Sequence, residues 1–389
     1  MHIKRGVHRF SQIDKLGIVS LFSLIGLACV STIWAIYLES FVHNQSTVGF
    51  ITTLFTIVSL IAFLALTPII EKKRKTWLYG LSLILYLLAY ILFSLSTKFY
   101  FVLFLGLVIS VVASLRTLSF GIIVCDKSNK RNLSRDEGKI YTFFNIAYLM
   151  GPLLAGFVSA KFGLASVFSL ASVFIFLSIS LFYILRIVDA KIPRETDGKV
   201  LKTFWEYFKD KNRRRGYIIS GGVSFWWAFI YIFMPMYIVD SGFSTIIVGY
   251  FVAAVTIPLI LFEYPFSKLI NKKGFKKIFF MGYLITGSFA LLCFFSNTLY
   301  VILILIVLAS VGCAMIEPSA ETYFFRLISE KERDKYYGSY KTSITVFNAF
   351  ATLLGAIVLL ILPFKFLFVF FAGVMIFLAL SALRINEKI

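Results

Sequence analysis

Four ionisable residues lie inside long apolar segments of the chain, where each can bind a charged solute or carry a proton. They are Arg116, Glu263, Glu317 and Glu321. A charged side chain within a bilayer is costly, so it is usually retained for a function. Glu317 and Glu321 are four residues apart and share one face of a helix. If protons are carried, Glu317 is the first candidate, followed by Glu263 or by Glu39 near the end of the first apolar segment.

Other reactive residue types exclude several functions by their positions. The histidines are His2, His8 and His43, and all three lie outside the apolar segments, so a histidine proton relay is not expected. The four cysteines show no metal-ligand spacing, which leaves no basis for a metal site or another cofactor. The sequence also contains no phosphate-binding loop and no nucleophile motif. The chain is therefore not expected to be an enzyme or an ATP-driven pump.

Three tryptophans offer a different kind of binding surface. Trp34 lies in the first apolar segment, and Trp226 and Trp227 lie in the seventh among several other aromatic residues. Aromatic rings attract organic and cationic solutes, so these residues are candidates for lining a cavity. The alternative is that they are lipid-facing bulk, and the 44 phenylalanines of the chain favour that second interpretation.

The elements that carry these residues are predicted to be membrane-spanning helices. Hydrophobic residues make up 59% of the 389 residues and charged residues 15%, with a mean hydropathy of +0.89, which excludes a water-soluble globular protein. The apolar runs are continuous and about 20 residues long, whereas strands of a membrane β-barrel alternate over about ten residues. We therefore predict an all-α membrane protein with twelve transmembrane helices, at 16–38, 48–70, 77–95, 99–124, 140–159, 163–185, 217–239, 246–267, 277–294, 299–325, 339–362 and 364–384.

The basic residues predict the orientation of these helices. The net charge is +20, and all but four of the 39 Lys and Arg residues fall in segments on one side of the membrane. The exceptions are Arg116, Lys98, Lys161 and Lys365. The positive-inside rule therefore predicts a multi-pass protein of the cell membrane with both termini in the cytoplasm. Because the basic residues are scattered over short loops, we expect them to interact with anionic lipid headgroups. Nucleic acid is not an expected partner.

The spans divide into two related halves. A polar stretch at 186–216 separates an amino-terminal bundle, 1–185, from a carboxy-terminal bundle, 217–389. The aromatic and charged residues of this linker favour an amphipathic helix on the inner membrane surface, with a flexible tether as the alternative. An offset of 200 residues aligns the halves. The matches include Tyr100 with Tyr300, Ser110 with Ser310, Val111 with Val311 and Gly138 with Gly338.

Two loops on the basic side carry a shared, degenerate motif. The loops read Thr67-Pro-Ile-Ile-Glu71-Lys72-Lys-Arg74-Lys75 and Ser267-Lys-Leu-Ile-Asn271-Lys272-Lys-Gly274-Phe-Lys276-Lys277. With its twelve spans, long middle loop and related halves, the chain resembles the major facilitator superfamily (MFS), which has Gly, three residues, Asp, a basic residue, any residue, Gly and two basic residues at these places. The resemblance implies a conformational latch formed by Glu71, Lys72, Lys75, Asn271, Lys272, Gly274 and Lys276, joined by Asp126 at the end of helix 4. Ordinary basic loops are an equal alternative for each copy alone, and the two copies at matching places favour the family.

Helix 5 contains a second family-like motif, Gly151-Pro152-Leu-Leu-Ala155-Gly156. Small residues four apart allow two helices to approach closely. The motif resembles the GPxxGG-type pattern found mostly in drug and metabolite antiporters of the superfamily. Helices 4 and 10 border the central cavity in that family, so the resemblance also makes an Arg116–Glu317 pair across the cavity conceivable.

The resemblance predicts a secondary active transporter with the MFS fold, two pseudo-symmetric six-helix bundles working by alternating access. The expected activity is proton-coupled efflux of a small organic solute by a monomer, with the solute and protons as partners. One alternative is a nutrient importer or facilitator of the same fold. The other is a membrane receptor or assembly protein that uses the fold without transporting a solute.

Overall fold

The computed structural model describes residues 11–128, 133–187, 200–329 and 332–385, and within these residues the secondary structure is helical with no strand. In the described part of the chain, twelve helical segments are long and apolar enough to cross a membrane. The chain is an all-α membrane protein, as the sequence predicts. Because the bilayer core offers no water to backbone groups, each span has to satisfy its own hydrogen bonds, and a continuous helix does so.

The spanning helices follow one another along the chain with one short helix between the sixth and the seventh. The first six are α1 (Gln12–Val42), α2 (Gln45–Lys72), α3 (Lys75–Leu95), α4 (Phe99–Lys127), α5 (Leu133–Phe162) and α6 (Leu164–Ile184), and the short helix is α7 (Val200–Lys209). The seventh span combines α8 (Lys211–Ala228), a π-helical turn (Phe229–Phe233) and α9 (Met234–Asp240). The last five are α10 (Thr245–Lys273), α11 (Phe275–Phe295), α12 (Leu299–Leu327), α13 (Arg333–Ile361) and α14 (Lys365–Ala382).

The helix boundaries repeat at the 200-residue offset found in the sequence. The paired starts are Gln45 with Thr245, Lys75 with Phe275, Phe99 with Leu299, and Leu133 with Arg333. α1 has its counterpart in the α8–α9 span. Both halves therefore have the same order of six spans and nearly the same helix lengths, so residues 200 apart occupy equivalent places.

The two halves pack most extensively along two seams, α2 against α13 and α5 against α10. We call the side where α1 begins and α14 ends the basic side, and the other the opposite side. The Thr53 and Thr352 hydroxyls are 2.9 Å apart across the first seam. In the same seam, the Ser46 hydroxyl donates to the Ala356 carbonyl at 2.7 Å. These residues lie toward the opposite-side ends of α2 and α13, so the protein is sealed there.

The linker helix α7 packs on the second half. Tyr207 is fully buried, with its ring centre 6.2 Å from that of Tyr217 and 5.9 Å from that of Tyr336. The Lys335 ammonium is 2.7 Å from the Glu206 carboxylate, and this hydrogen bond holds the pKa of Glu206 below its usual range. The prediction of a helix is right for 200–209, which is not a flexible tether, and its placement on the inner membrane surface stays a prediction.

Part of the predicted latch and linker lies outside the described residues. The linker between 188 and 199 is not described, and neither are the side chains of Glu71, Lys72 and Asn271. Gly274 is described, and its φ of +77° between α10 and α11 lies in the region that favours glycine.

A side chain at position 249 should open the seal. A Cβ on Gly249 would lie 2.5 Å from the Pro152 carbonyl oxygen and 3.0 Å from the Gly156 Cα. Gly249→Val therefore overpacks the α5–α10 seam and destabilises the sealed conformation by about 1–3 kcal/mol. The reporter is Thr53→Cys in a chain whose native cysteines are replaced by alanine. With Gly249→Val added, we expect this cysteine to react at least about fivefold faster with an impermeant thiol reagent on the opposite side than it does when Gly249 is kept.

Gly121→Val is the matched control, because a Cβ there meets no atom within 4 Å. Equal labelling rates in the Gly249→Val and Gly121→Val proteins would contradict the seal.

Candidate functional site

Glu317 lies about halfway along α12, on the side of the second half that meets the first. Its side chain is only partly buried at that depth, so we infer a central cavity between the halves that this side chain lines. The indole N–H of Trp227, on α8, donates a hydrogen bond to its carboxylate. Within the described residues no lysine or arginine pairs with Glu317. The carboxylate is therefore held by one neutral donor and has no counter-ion.

Glu263 brings a second carboxylate to the same region. It lies on α10 close enough to Glu317 for their charges to repel, and it contacts Asn145 of α5 in the other half. Repulsion between neighbouring carboxylates is relieved when one of them binds a proton. The geometry thus suits a group that gains and loses a proton.

Arg116 lies on the first-half side of the cavity among tyrosines. Its guanidinium is beside the hydroxyls of Tyr79 and Tyr86, and its charge also acts on Tyr90 and Tyr148. Its Nε is buried without a hydrogen-bond partner, and within the described residues no carboxylate pairs with it. A partly buried cation whose Nε has no partner has polar capacity left for a ligand.

The structure does not join Arg116 and Glu317 directly, although the sequence made such a pair conceivable. Tyr148 of α5 lies close enough to Arg116 to interact with its charge. Tyr231 of the π-helical turn interacts in the same way with the charge of Glu317. The two tyrosine rings meet edge to face with their centres 6.2 Å apart. The cation and the carboxylate thus lie on opposite walls of the cavity, with the contact between these rings in the middle.

Glu321 lies on α12 one turn closer to the basic side than Glu317 and has a different environment. Its carboxylate accepts hydrogen bonds from the Lys341 ammonium and the Tyr337 hydroxyl, both at 2.9 Å, and from the Tyr141 hydroxyl of the first half at 3.2 Å. Glu321 is therefore neutralised by an ion pair and helps to join the halves on the basic side. It has no spare charge to offer a solute in this conformation.

The three tryptophans separate into three environments. Trp227 reaches the cavity and binds Glu317, as described above. Trp226 is fully buried with its ring centre 5.3 Å from that of Phe229, so it does not reach the cavity. Trp34 is half-buried and packs edge to face on Phe93 and Phe168, in the core of the first half.

The helix-5 motif forms two close backbone contacts. A Cβ on Gly151 would lie 2.5 Å from the Ala28 Cβ on α1, and a Cβ on Gly156 would lie 2.8 Å from the Thr245 carbonyl on α10. Ala155 is fully buried between these contacts. Pro152 interrupts the helix hydrogen bonds inside α5. The motif therefore packs α5 against its own half and against the other half at once.

The remaining predicted residues lie at the two ends of the spans. Glu39 is near Asp240 of the other half, whose carboxylate accepts a hydrogen bond from Gln45. This cluster belongs to the opposite-side seal, away from the central cavity. On the basic side, Lys75 is buried at the start of α3, and Lys272 is exposed at the end of α10. Asp126 is half-buried at the end of α4, and Lys276 is half-buried in the first turn of α11.

Several site residues were not found from the sequence. They are Tyr86, Tyr90, Asn145, Tyr148 and Tyr231. Tyr86 and Tyr90 are spaced by one turn of α3, a signal that a search for polar residues within the spans finds. The π-helical turn beside Tyr231 has no such signal in the sequence, although turns of this kind are frequent at functional sites.

Comparison with known proteins gives a consistent result. A family model described as the Major Facilitator Superfamily matches residues 16–260 and 217–388. An uncharacterized MFS-type transporter of Methanocaldococcus jannaschii, MJ1560, is 22% identical over 340 residues, covering 85% of this chain and 86% of the relative.

Solved structures share the fold at low sequence identity. A POT family transporter in complex with 5-aminolevulinic acid has a TM-score of 0.80 at 14% identity, covering 95% of this chain and 94% of that chain. The structure of a mutant of the nucleoside transporter NupG has a TM-score of 0.74 at 15% identity, covering 96% of this chain and 99% of that chain. The structure of the human organic anion transporter MFSD10 has a TM-score of 0.72 at 14% identity, covering 95% of this chain and 98% of that chain.

Removal of the Trp227 donor should make Glu317 more reactive toward a hydrophobic carbodiimide, which attacks protonated carboxyls. Trp227→Phe removes the N–H that stabilises the ionised carboxylate, an interaction of about 1.5–3 kcal/mol, so we expect labelling of Glu317 at fixed pH to accelerate about tenfold. Mass spectrometry of the labelled peptide measures the rate.

Trp226→Phe is the neighbouring control, since the Trp226 N–H has no hydrogen-bond partner to lose. If the two variants label Glu317 at the same rate, Trp227 does not stabilise the carboxylate.

Proposed function

We propose, from the premise that the chain belongs to the major facilitator superfamily, that it exports a small organic solute in exchange for protons by alternating access. The family match spans both halves, and the relatives are transporters rather than enzymes. The chain is thus an integral membrane transporter. The proposal adds the coupling ion, the direction of transport and the class of solute.

The observation that carries the proposal is the pair of carboxylates, Glu317 and Glu263, in a cavity between two halves that are sealed on one side. A binding site near mid-depth at the interface of two related halves is the arrangement by which such transporters expose one site to each side in turn. Ionisable groups that lack a counter-ion at that depth suit proton coupling. Glu317 is the proposed proton carrier, with Glu263 as its partner.

The helix-5 motif supports export. Its resemblance to the antiporter pattern is joined by its position, because Gly156 and Gly249 bring α5 and α10 into backbone contact in the seal. The basic residues of the loops support cytoplasmic termini in the cell membrane, so the sealed side would be the outer one. A solute would then reach the site from the cytoplasm once the Tyr141–Glu321 contact between the halves on the basic side opens.

The solved relatives support an organic solute without selecting one. By description they bind 5-aminolevulinic acid or transport nucleosides or organic anions, and all are small organic compounds. Those activities belong to the relatives. The proposed solute for this chain, carried by a monomer, shares with them only its size and organic character.

Flux into proteoliposomes with an imposed pH gradient tests the proposal. For a transported member of a solute panel, we expect the solute to move against the proton flow and proton movement to depend on the solute. In Glu317→Gln, exchange of labelled for unlabelled solute should continue, while gradient-driven accumulation should fall at least about tenfold because the proton carrier is gone.

The surface variant Glu206→Gln serves as the control, since Glu206 lies on α7 outside the cavity. Movement of the solute with the protons would replace the exporter by an importer, and facilitated movement without proton flow would indicate a facilitator. The absence of flux for every solute under every gradient would leave a receptor or assembly protein.

A further inference from the structure

The two walls of the central cavity carry opposite charges, and neither wall neutralises its own. Arg116 on the first half has no carboxylate partner, and Glu317 and Glu263 on the second half have no cationic partner, among the residues that the structure describes. Glu321, one turn nearer the basic side, does have a counter-ion, because the Lys341 ammonium is 2.9 Å from its carboxylate. Among the described residues, the charges of Arg116, Glu317 and Glu263 differ from that of Glu321 in having none.

An uncompensated charge at this depth is unfavourable unless a ligand compensates it. Burying a charge without a partner costs far more than burying a neutral polar group, and the buried Nε of Arg116 lacks even a neutral acceptor. Arginine presents a planar fork of donors that matches a carboxylate in two parallel hydrogen bonds. The first-half wall thus suits the anionic end of a solute.

The second-half wall suits a cationic end. Glu317 and Glu263 supply the negative charge, and Trp227 and Tyr231 beside Glu317 supply aromatic faces, which attract ammonium groups. Because the Tyr148–Tyr231 contact lies between the walls, the two ends of the solute must be separated by a body long enough to span it.

The charge asymmetry does not follow from the repeat. The residues at the equivalent places, 200 positions away, are Ile316 for Arg116, Thr117 for Glu317 and Phe63 for Glu263. All three equivalents are uncharged. Two halves built on one plan therefore differ at the site in the sign of their charge, and this difference fixes the orientation of a bound solute.

We propose that the solute is a zwitterion whose carboxylate binds Arg116 and whose ammonium group binds Glu317 and Glu263, the assignment resting on the transport function proposed above. One zwitterion together with one proton neutralises the whole site. The carboxylate balances Arg116, the ammonium balances one glutamate, and the proton balances the other. A second proton on the glutamates displaces the ammonium group, which gives exchange of solute for protons a direct electrostatic basis.

Binding of ω-amino acids of increasing chain length to the purified protein tests the assignment without transport. Each is compared with the alkylamine and the carboxylic acid of the same length, and the shift in melting temperature reports binding by mass action. We expect the best-fitting ω-amino acid to bind at least about tenfold more tightly than either single-charge analogue, since each lost charged contact is worth about 1.5–3 kcal/mol. Equal binding of the amino acid and either analogue would overturn the proposal.

Variants assign the two ends. Arg116→Gln should reduce the amino acid to the affinity of the alkylamine, and Glu317→Gln should reduce it toward that of the acid. Arg116→Lys keeps the charge and should keep part of the preference, which covers the case in which Arg116→Gln fails to fold. Thr117→Val changes the exposed neighbour of Arg116 and should leave all affinities unchanged. An unchanged preference for the carboxylate in both Arg116 variants would overturn its place in the site.

The solute assignment and the proposed transport function can be contradicted separately. Proton-driven flux together with no preference for zwitterions would overturn only the solute class. A strong zwitterion preference together with no flux of the preferred compound would uphold the site and contradict the transport function.

Discussion

A charge inside a membrane protein has to be compensated within the protein or by what it binds, and this constraint organises the structure. Glu321 meets it with Lys341 and two tyrosines. Among the described residues Arg116 and Glu317 have no counter-ion: tyrosine hydroxyls lie beside Arg116, and the Trp227 indole and the Glu263 carboxylate lie near Glu317. Charged side chains without a counter-ion therefore lie where the two halves meet, and these side chains define the site.

The proposed alternating access requires motion at the same interface. Glycines at 156 and 249 and paired threonines at 53 and 352 bring the halves into close contact on the opposite side. Contacts of this kind separate and re-form more easily than a packed core, which suits rigid rotation of one half against the other. The cavity charges belong to different halves, so a bound solute that bridges them favours the halves closing around it.

The sequence predicts the number of spans, the 200-residue repeat and the buried charges correctly, because composition and spacing alone carry these features. It does not place Asn145, Tyr148 or Tyr231 in the site, and it does not reveal the ion pair of Glu321. In a water-soluble helix a polar face shows which side is outward, but here lipid-facing and core-facing sides are both apolar. The rotation of each helix, about 100° per residue, therefore remains undetermined until neighbouring helices are known. Trp226 and Trp227 illustrate this: adjacent in sequence, one is fully buried and the other binds Glu317.

Alternating access requires the opposite-side seam to open, and cross-linking of that seam is its sharpest test. Cysteines at Thr53→Cys and Thr352→Cys, in a chain without its native cysteines, replace hydroxyls that lie 2.9 Å apart, so oxidation can join them. We predict that the oxidised protein still binds solute from the basic side but transports none, and that reduction restores transport. Undiminished transport by fully cross-linked protein would mean that the seam does not have to open, and alternating access through it would be wrong.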